Sequence, residues 1–222
     1  MIKLSKRLNE IANMIDKDDV VIDVGCDHAL LDIFLASKYN KVYYASDLRK
    51  SALNKGKENI EKYKMDNNIV LICDNGLNGI KDEYNINTAV ITGLGYQTIL
   101  KILKNKEKLS SINKLVIESN TNPEIIRKYL VKNGYYIDKE TLVLDNNFYY
   151  FITSYKKGKK KYNHIDLELG IINNHDLFNE YLKIELKKCN ILLSVVPKKN
   201  IIKTLEIKRR IKLINKKLNI TH

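Results

Sequence analysis

The chain has 222 residues, enough for one medium domain with a small appendage and too few for two full catalytic domains. A formal net charge of +13 makes a polyanion the first partner to consider, nucleic acid before an anionic membrane surface. Three widely spaced cysteines, Cys26, Cys73 and Cys189, argue against a disulfide framework or a zinc site, and the absence of a signal-like leader or of an apolar run of about 18 residues makes a soluble, cytoplasmic protein without membrane or metal the expectation.

Residues 4–15 open the chain with Leu4, Leu8, Ile11, Ala12 and Ile15 at helical spacing, which predicts an amphipathic leader helix. Short β-branched runs follow at 20–24, 41–46, 69–73, 88–92 and 114–118, separated by helical patterns at 29–39, 50–63, 96–104 and 123–133. That alternation predicts a doubly wound α/β domain with a parallel sheet. Residues 135–144 and 148–155 then face each other across Asp145-Asn146-Asn147, a predicted antiparallel hairpin that closes the sheet. The catalytic domain is therefore expected to span residues 1–155.

The lysine- and glycine-containing run 156–161 marks the expected boundary. Beyond it, helical spacing at 177–195 and 197–218, broken at Pro197, predicts two helices that pair with each other. Residues 1–155 carry 22 Lys plus Arg against 20 Asp plus Glu, while residues 156–222 carry 17 against 6. A general compositional bias toward Lys, Asn and Ile would enrich lysine everywhere; it does not explain a nearly neutral first part. Residues 156–222 are thus expected to be a basic helical segment that binds nucleic acid, with Lys208, Arg209, Arg210 and Lys212 on phosphates. The oligomeric state is not legible, with a monomer as the default.

The chemistry sits at the strand ends. The first strand runs into Asp23-Val24-Gly25-Cys26-Asp27-His28-Ala29, where doubly wound folds place a cofactor. A dinucleotide needs glycines that let its pyrophosphate approach the backbone; here Asp27 stands at the second glycine position, and Asp23 and Asp27 would repel the pyrophosphate. S-adenosylmethionine carries a sulfonium and an ammonium, which carboxylates attract. Asp47, 22 positions after Gly25, can accept from both ribose hydroxyls, and Asp74 from the adenine amine. Gly93-Leu94-Gly95 ends the fourth strand with a turn that permits close backbone approach. The cofactor set is therefore Asp23, Gly25, Asp27, His28, Asp47, Asp74, Gly93, Leu94 and Gly95.

Leu4-Ser5-Lys6-Arg7-Leu8, the Asp23-x-Gly25-x-Asp27-His28-Ala29-x-Leu31 motif and the Gly93-x-Gly95 turn together resemble the bacterial tRNA (adenine(22)-N1)-methyltransferase family. The resemblance implies a Rossmann-like class I methyltransferase sheet with a small, coiled-coil-like helical C-terminal domain, and methylation of N1 of an adenine in the D-arm of tRNA. This chain departs from the pattern at Tyr96, where the family usually has a further Gly, at Glu118-Ser119-Asn120 in place of Gln-Pro-Asn, and at Asp32, where Pro is frequent. Asn120 keeps the match and joins Tyr96, Lys6 and Arg7 as expected substrate contacts. Adenine N1 has an in-plane lone pair and needs no prior deprotonation, so Asp27 is expected to stabilise the positive charge that develops on the ring; the competing reading of Asp27 is a helix cap. Alternative functions are an RNA-binding protein on a methyltransferase fold without catalysis, and a methyltransferase for another base or a small molecule.

Overall fold

In the computed structural model, which describes residues 2–173, 175–197 and 199–220, the β-branched runs form one seven-stranded sheet. In chain order the strands are β1 Val21–Val24, β2 Tyr43–Asp47, β3 Ile69–Cys73, β4 Thr88–Leu94, β5 Lys114–Ser119, β6 Tyr135–Asp145 and β7 Phe148–Lys157, and they lie side by side as β3-β2-β1-β4-β5-β7-β6. The first five pair in parallel, and β7 enters antiparallel between β5 and β6. Strands β1 and β5 are buried along their whole length, as strands covered on both faces must be.

Helices α1 Lys6–Asn13, α2 Leu30–Tyr39, α3 Lys50–Tyr63, α4 Tyr96–Leu103, α5 Lys106–Leu109 and α6 Pro123–Lys132 accompany the sheet. Ser5 caps α1 by accepting from the Leu8 amide at 3.3 Å, and Ile11 and Ala12 are fully buried beneath it. Pro123 opens α6, where its missing N–H has no partner to lose. A buried ion pair at 2.5 Å, Arg127 Nε to Glu140 Oε1, pins α6 to β6. The hairpin turn is tighter than the sequence suggested. Asp145 pairs with Phe148, and Asn146 and Asn147, both at positive φ, make a two-residue turn of the kind that matches strand twist.

The chain divides into two compact units after Lys160, five residues beyond the expected boundary at 155. The cause is the length of β7. Lys157 N–H donates to Asn113 O at 3.0 Å and Gly158 N–H to Gly134 O at 2.9 Å, so the first part of the lysine run belongs to the sheet. Lys156 faces Asp138 at 3.1 Å.

The second unit contains α7 His164–Leu169, α8 Asp176–Val195 and α9 Ile201–Ile220, with α8 and α9 packed on each other. Its core is Ile165, Leu169, Phe178, Leu182, Cys189, Ile207 and Ile214. Helix α7, like α5 and the 3-10 turn Asp82–Tyr84, is too short for periodicity to reveal. Lys217, only 1% exposed, donates to Asp166 Oδ1 at 2.8 Å and lies 5.9 Å from the Phe178 ring centre. The four cations expected on phosphates, Lys208, Arg209, Arg210 and Lys212, do not share one face of α9. At about 100° per residue, Lys208 and Lys212 project together and are exposed; Arg209, exposed as well, points toward α7, with Nη2 3.6 Å from Glu168 Oε1 and 2.5 Å from His164 Nε2, and Arg210 is half-buried.

Candidate active site

The C-terminal ends of β1, β2 and β4, with the segment after β3, open onto a cavity of about 530 Å³. Of the residues the sequence singles out, Arg7, Asp23, Gly25, Asp27, His28, Asp47, Asp74, Gly93 and Leu94 line it. Lys6, Gly95, Tyr96 and Asn120 are outside its lining, and the four tail cations belong to the second unit. Apolar walls come from Leu8, Leu31, Leu48 and Ile102.

The β1–α2 loop is built from left-handed backbone. Gly25 has φ +84°, Asp27 +49° and Ala29 +54°. A Cβ at Gly25 would adopt a conformation that L-residues avoid and would rest on Leu94 at 3.6 Å. The Gly25 and Cys26 amides both donate to Ser46 O, at 2.8 and 3.1 Å, so this turn is fastened to β2. Gly56 of α3 packs over this loop, where a Cβ would lie in ordinary contact with Ala29 Cβ at 3.5 Å.

Helix α2 begins behind a left-handed Ala29 with no side-chain cap, so the helix-cap reading of Asp27 does not hold. Asp27 instead points its half-exposed carboxylate at an imidazole and a guanidinium: Oδ2 is 3.1 Å from His28 Nε2, and Oδ1 is 3.3 Å from Arg49 Nη2. His28 thus orients Asp27.

Asp47, at the end of β2, accepts on Oδ1 from the Arg49 amide at 2.8 Å and from Arg49 Nε at 3.2 Å, and on Oδ2 from the Asp27 amide and Arg49 Nη2, each at 3.3 Å. Burial pushes its pKa up, but the Arg49 guanidinium and the two amides outweigh it and hold the carboxyl below the usual range. Asp74 is half-buried and accepts from the Asn75 amide at 2.5 Å.

Asp23 is 5% exposed and Asp32, in the first turn of α2, is 0% exposed. Burial raises Asp23 to about 7, with Asp47 repelling it and with an Asp32 hydrogen bond and Arg7 pulling the other way. Burial and then the proximity of Asp23 hold Asp32 well above the carboxylate range. Asp32 stood out in the sequence only as a departure from the family pattern.

Opposite this acidic wall, Arg7 Nη1 donates to Glu118 Oε2 at 2.8 Å and the Gly93 amide donates to the same oxygen at 2.9 Å. Glu118 is completely buried; burial raises its pKa against the pull of Arg7 and the Gly93 amide. Arg7 also lies 5.2 Å from the centre of the Tyr150 ring, a cation–π contact from β7. Arg7 was expected on phosphates. Its charge is committed to Glu118 instead, and Lys6 beside it is exposed. Asn120 Nδ2 donates to Gly93 O at 2.7 Å and bridges the ends of β4 and β5. Tyr96 begins α4 half-buried, with its amide 3.3 Å from Thr121 Oγ1. Arg49 carried no signal in the sequence beyond its place two residues after Asp47.

This arrangement suits a ligand with cationic groups at one end and hydroxyls or an aromatic amine at the other. Carboxylates surround one region, apolar side chains another, and left-handed turns keep side chains away from the backbone between them. Among the described residues there is no group of three or more His, Cys, Asp or Glu placed to hold a metal, and no helix is long and apolar enough to cross a membrane.

The sequence matches the family described as Methyltransferase domain over residues 4–153. It is 37% identical over 164 residues to the putative tRNA methyltransferase MG248 of Mycoplasma genitalium, covering 72% of each chain. To the tRNA (adenine(22)-N(1))-methyltransferase of Bacillus subtilis it is 27% identical over 191 residues, covering 84% of this chain and 80% of that protein. The structure of M. capricolum TrmK in complex with S-adenosyl-homocysteine matches with a TM-score of 0.90 at 33% identity, covering 99% of both chains. The chain belongs to the methyltransferase-domain family and, within it, to the bacterial tRNA (adenine(22)-N1)-methyltransferases.

Proposed function

We propose that the protein transfers a methyl group from S-adenosylmethionine to N1 of adenine 22 in the D-arm of tRNA. The observation that carries this reading is the cavity itself: acidic side chains at successive strand ends, around left-handed turns, in a chain whose fold matches a tRNA methyltransferase along nearly its whole length. The residues fit the cofactor chemically. Asp23 and Asp27 supply negative charge for its cationic amino-acid end, Asp47 supplies acceptors for a ribose diol, Asp74 an acceptor for the adenine amine, and Leu48 and Ile102 an apolar surface for its ring. His28, Gly25, Gly93 and Leu94 complete the cofactor set through backbone and packing, and Gly95, outside the lining, acts only by shaping the turn.

When bound, S-adenosylmethionine supplies an electrophilic methyl group on a sulfonium centre. The chain's own residues orient the two partners and exclude water, the main requirement when the nucleophile is an unprotonated ring nitrogen. Asp27 is the catalytic residue in this reading. Its carboxylate, held at the loop tip by His28 and Arg49, accepts a hydrogen bond from the adenine N6 amino group and offsets the positive charge that develops on the ring. Asn120 and Tyr96 serve the extruded base, which must leave its stack to be reached. The basic segment, with Lys208 and Lys212 foremost, holds tRNA phosphates, and Lys6 adds a contact from the leader helix.

The tRNA substrate puts the protein's work in the cytoplasm. The test is incubation with unmodified tRNA and S-adenosylmethionine, followed by mass-spectrometric mapping of the methylated nucleotide. A methyl group on N1 of adenine 22 is the expected result; methylation elsewhere, or cofactor and tRNA binding without turnover, overturns the reading.

A further inference from the structure

Asp23 of β1, in the cavity wall, and Asp32 of α2, outside the lining, are two buried carboxyls within hydrogen-bonding reach of each other. Both Asp32 oxygens and Asp23 Oδ1 are closed to solvent, and none has a hydrogen-bond donor among the described residues. Three buried acceptors without a donor would be a severe penalty, and two ionised carboxylates side by side a worse one. A proton between them removes the repulsion and pairs two of the three oxygens: a neutral Asp32 O–H becomes a donor, and Asp23 Oδ1 becomes its acceptor.

We propose that Asp32 acts as a permanently protonated hydrogen-bond donor, a positioning residue that holds Asp23 in the ionised form required by the cationic end of the cofactor. The electrostatics agree in direction. Burial followed by the proximity of Asp23 keeps the proton on Asp32, while Asp23 titrates at about 7 with the Asp32 hydrogen bond as the strongest influence favouring its charge. The other groups facing the pair are Asp47 of β2, which opposes ionisation of Asp23, and Arg7 of α1, which favours it; the Cys26 thiol and Asp27 lie in the adjoining loop. Arg49 is engaged with Asp47 and Asp27, and Arg7 also neutralises Glu118. A carboxylic acid kept neutral in an apolar site so that it can donate is a known device in other enzymes.

The proposal rests on S-adenosylmethionine as the ligand. When the cofactor's cationic end arrives, any proton remaining on Asp23 passes to solvent and Asp32 keeps its own, so binding is linked to the release of at most one proton.

The experiment is calorimetric titration of the full chain with S-adenosylmethionine from pH 5.5 to 8.5, in buffers of different ionisation enthalpy, for wild type, Asp32→Asn and Asp32→Leu. Wild-type affinity should fall about tenfold per pH unit below about 7, with protons released on binding. Asp32→Asn keeps a neutral N–H donor and should bind within about threefold of wild type, with the same midpoint. Asp32→Leu has similar volume and no donor; its midpoint should move up and its affinity at pH 7 fall about tenfold or more, recovering as pH rises.

Wild-type affinity independent of pH without proton release would overturn the proposal, as would an Asn variant that shifts the profile as Leu does, or a Leu variant that shifts nothing. Should the Leu variant fail to fold, the wild-type proton count and the Asn profile decide. No binding of S-adenosylmethionine by wild type at any pH would overturn the cofactor reading along with the proposal, whereas pH-independent binding overturns the proposal alone.

Discussion

Arg7 of the leader helix donates to Glu118 at the end of β5 across 111 residues of sequence, at 2.8 Å. The same Glu118 oxygen accepts from the Gly93 amide, so a single carboxylate ties α1, β4 and β5 together at the cavity. Glu118→Ala should therefore lower stability by about 1.5–3 kcal/mol, the usual range for lost hydrogen bonds to a charged group, and should weaken cofactor binding because the Gly93 turn loses its anchor. Urea unfolding and calorimetry check both effects; a variant as stable as wild type would mean that the contact contributes nothing.

Asp47 presents a second test. Its carboxylate is held by Arg49 and two amides, and the proposed role adds the ribose hydroxyls. Asp47→Ala should raise the dissociation constant for S-adenosylmethionine about tenfold or more. Arg49 is largely exposed and should matter less: Arg49→Gln is expected to change that constant by about threefold or less, since exposed ion pairs are weak. Equal losses in the two variants would shift the cofactor contact to Arg49.

Asp27→Asn is an informative change because Asn tolerates the left-handed backbone at φ +49° as well as Asp does. The fold and tRNA affinity should be preserved, while the rate of methyl transfer at saturating substrates should fall by about tenfold or more if the charge acts in the transition state. Single-turnover kinetics with wild type and variant measure this. A wild-type rate would reduce Asp27 to a loop residue.

In the ligand-free protein Asp32 contributes a pH dependence of stability opposite in sign to that of ordinary acid unfolding. Asp32 is raised well above its unfolded value of about 3.8, so above that pH the folded state binds the proton that the unfolded state has lost. Stability is thus lost as pH rises through this window. Replacing Asp32 by Asn removes the linkage, and the stability of the variant relative to wild type should increase between pH 5 and 7 by up to about 1.4 kcal/mol per unit. Urea midpoints at pH 5, 6 and 7 give the comparison, and parallel curves would place an ionised Asp32 in the folded protein.

For the basic segment, the geometry narrows the expected contacts. Lys208 and Lys212 are exposed on one side of α9, while Arg209 is paired with Glu168. Lys208→Gln/Lys212→Gln should flatten the salt dependence of tRNA affinity by about 0.7–0.9 in log–log slope for each lost contact. Cofactor affinity should not change. An unaltered slope would show that tRNA phosphates are held elsewhere.

Strand-end residues were legible because periodicity fixes where a strand stops, and a stopped parallel strand fixes which edge its next residues occupy. Asp23, Asp27, Asp47 and Asp74 all reach the cavity for that reason. Side-chain direction was not legible. The left-handed turns at Asp27 and Ala29 decide that Asp27 meets His28 and Arg49 instead of the helix end, and no local pattern announces φ > 0 at an alanine. Glu118 was visible as a residue at the end of its strand, but its contact with Arg7 depends on how the leader helix packs. The charge sum located the basic segment and could not tell an exposed Lys208 from a buried Lys217, because burial depends on the tertiary contacts of α7 and α8.

The insertion of β7 between β5 and β6 has a consequence for biosynthesis. Until residues 148–157 emerge from the ribosome, the fully buried strand β5 has no neighbour on one side, although its other partner β4 is already available. The nascent chain therefore carries an open, apolar sheet edge until the last strand of its catalytic unit is made, and such edges are templates for intermolecular pairing. Chains that stop before Phe148 should collect in aggregates, and those that stop just past Gly158 should be the first to remain in solution.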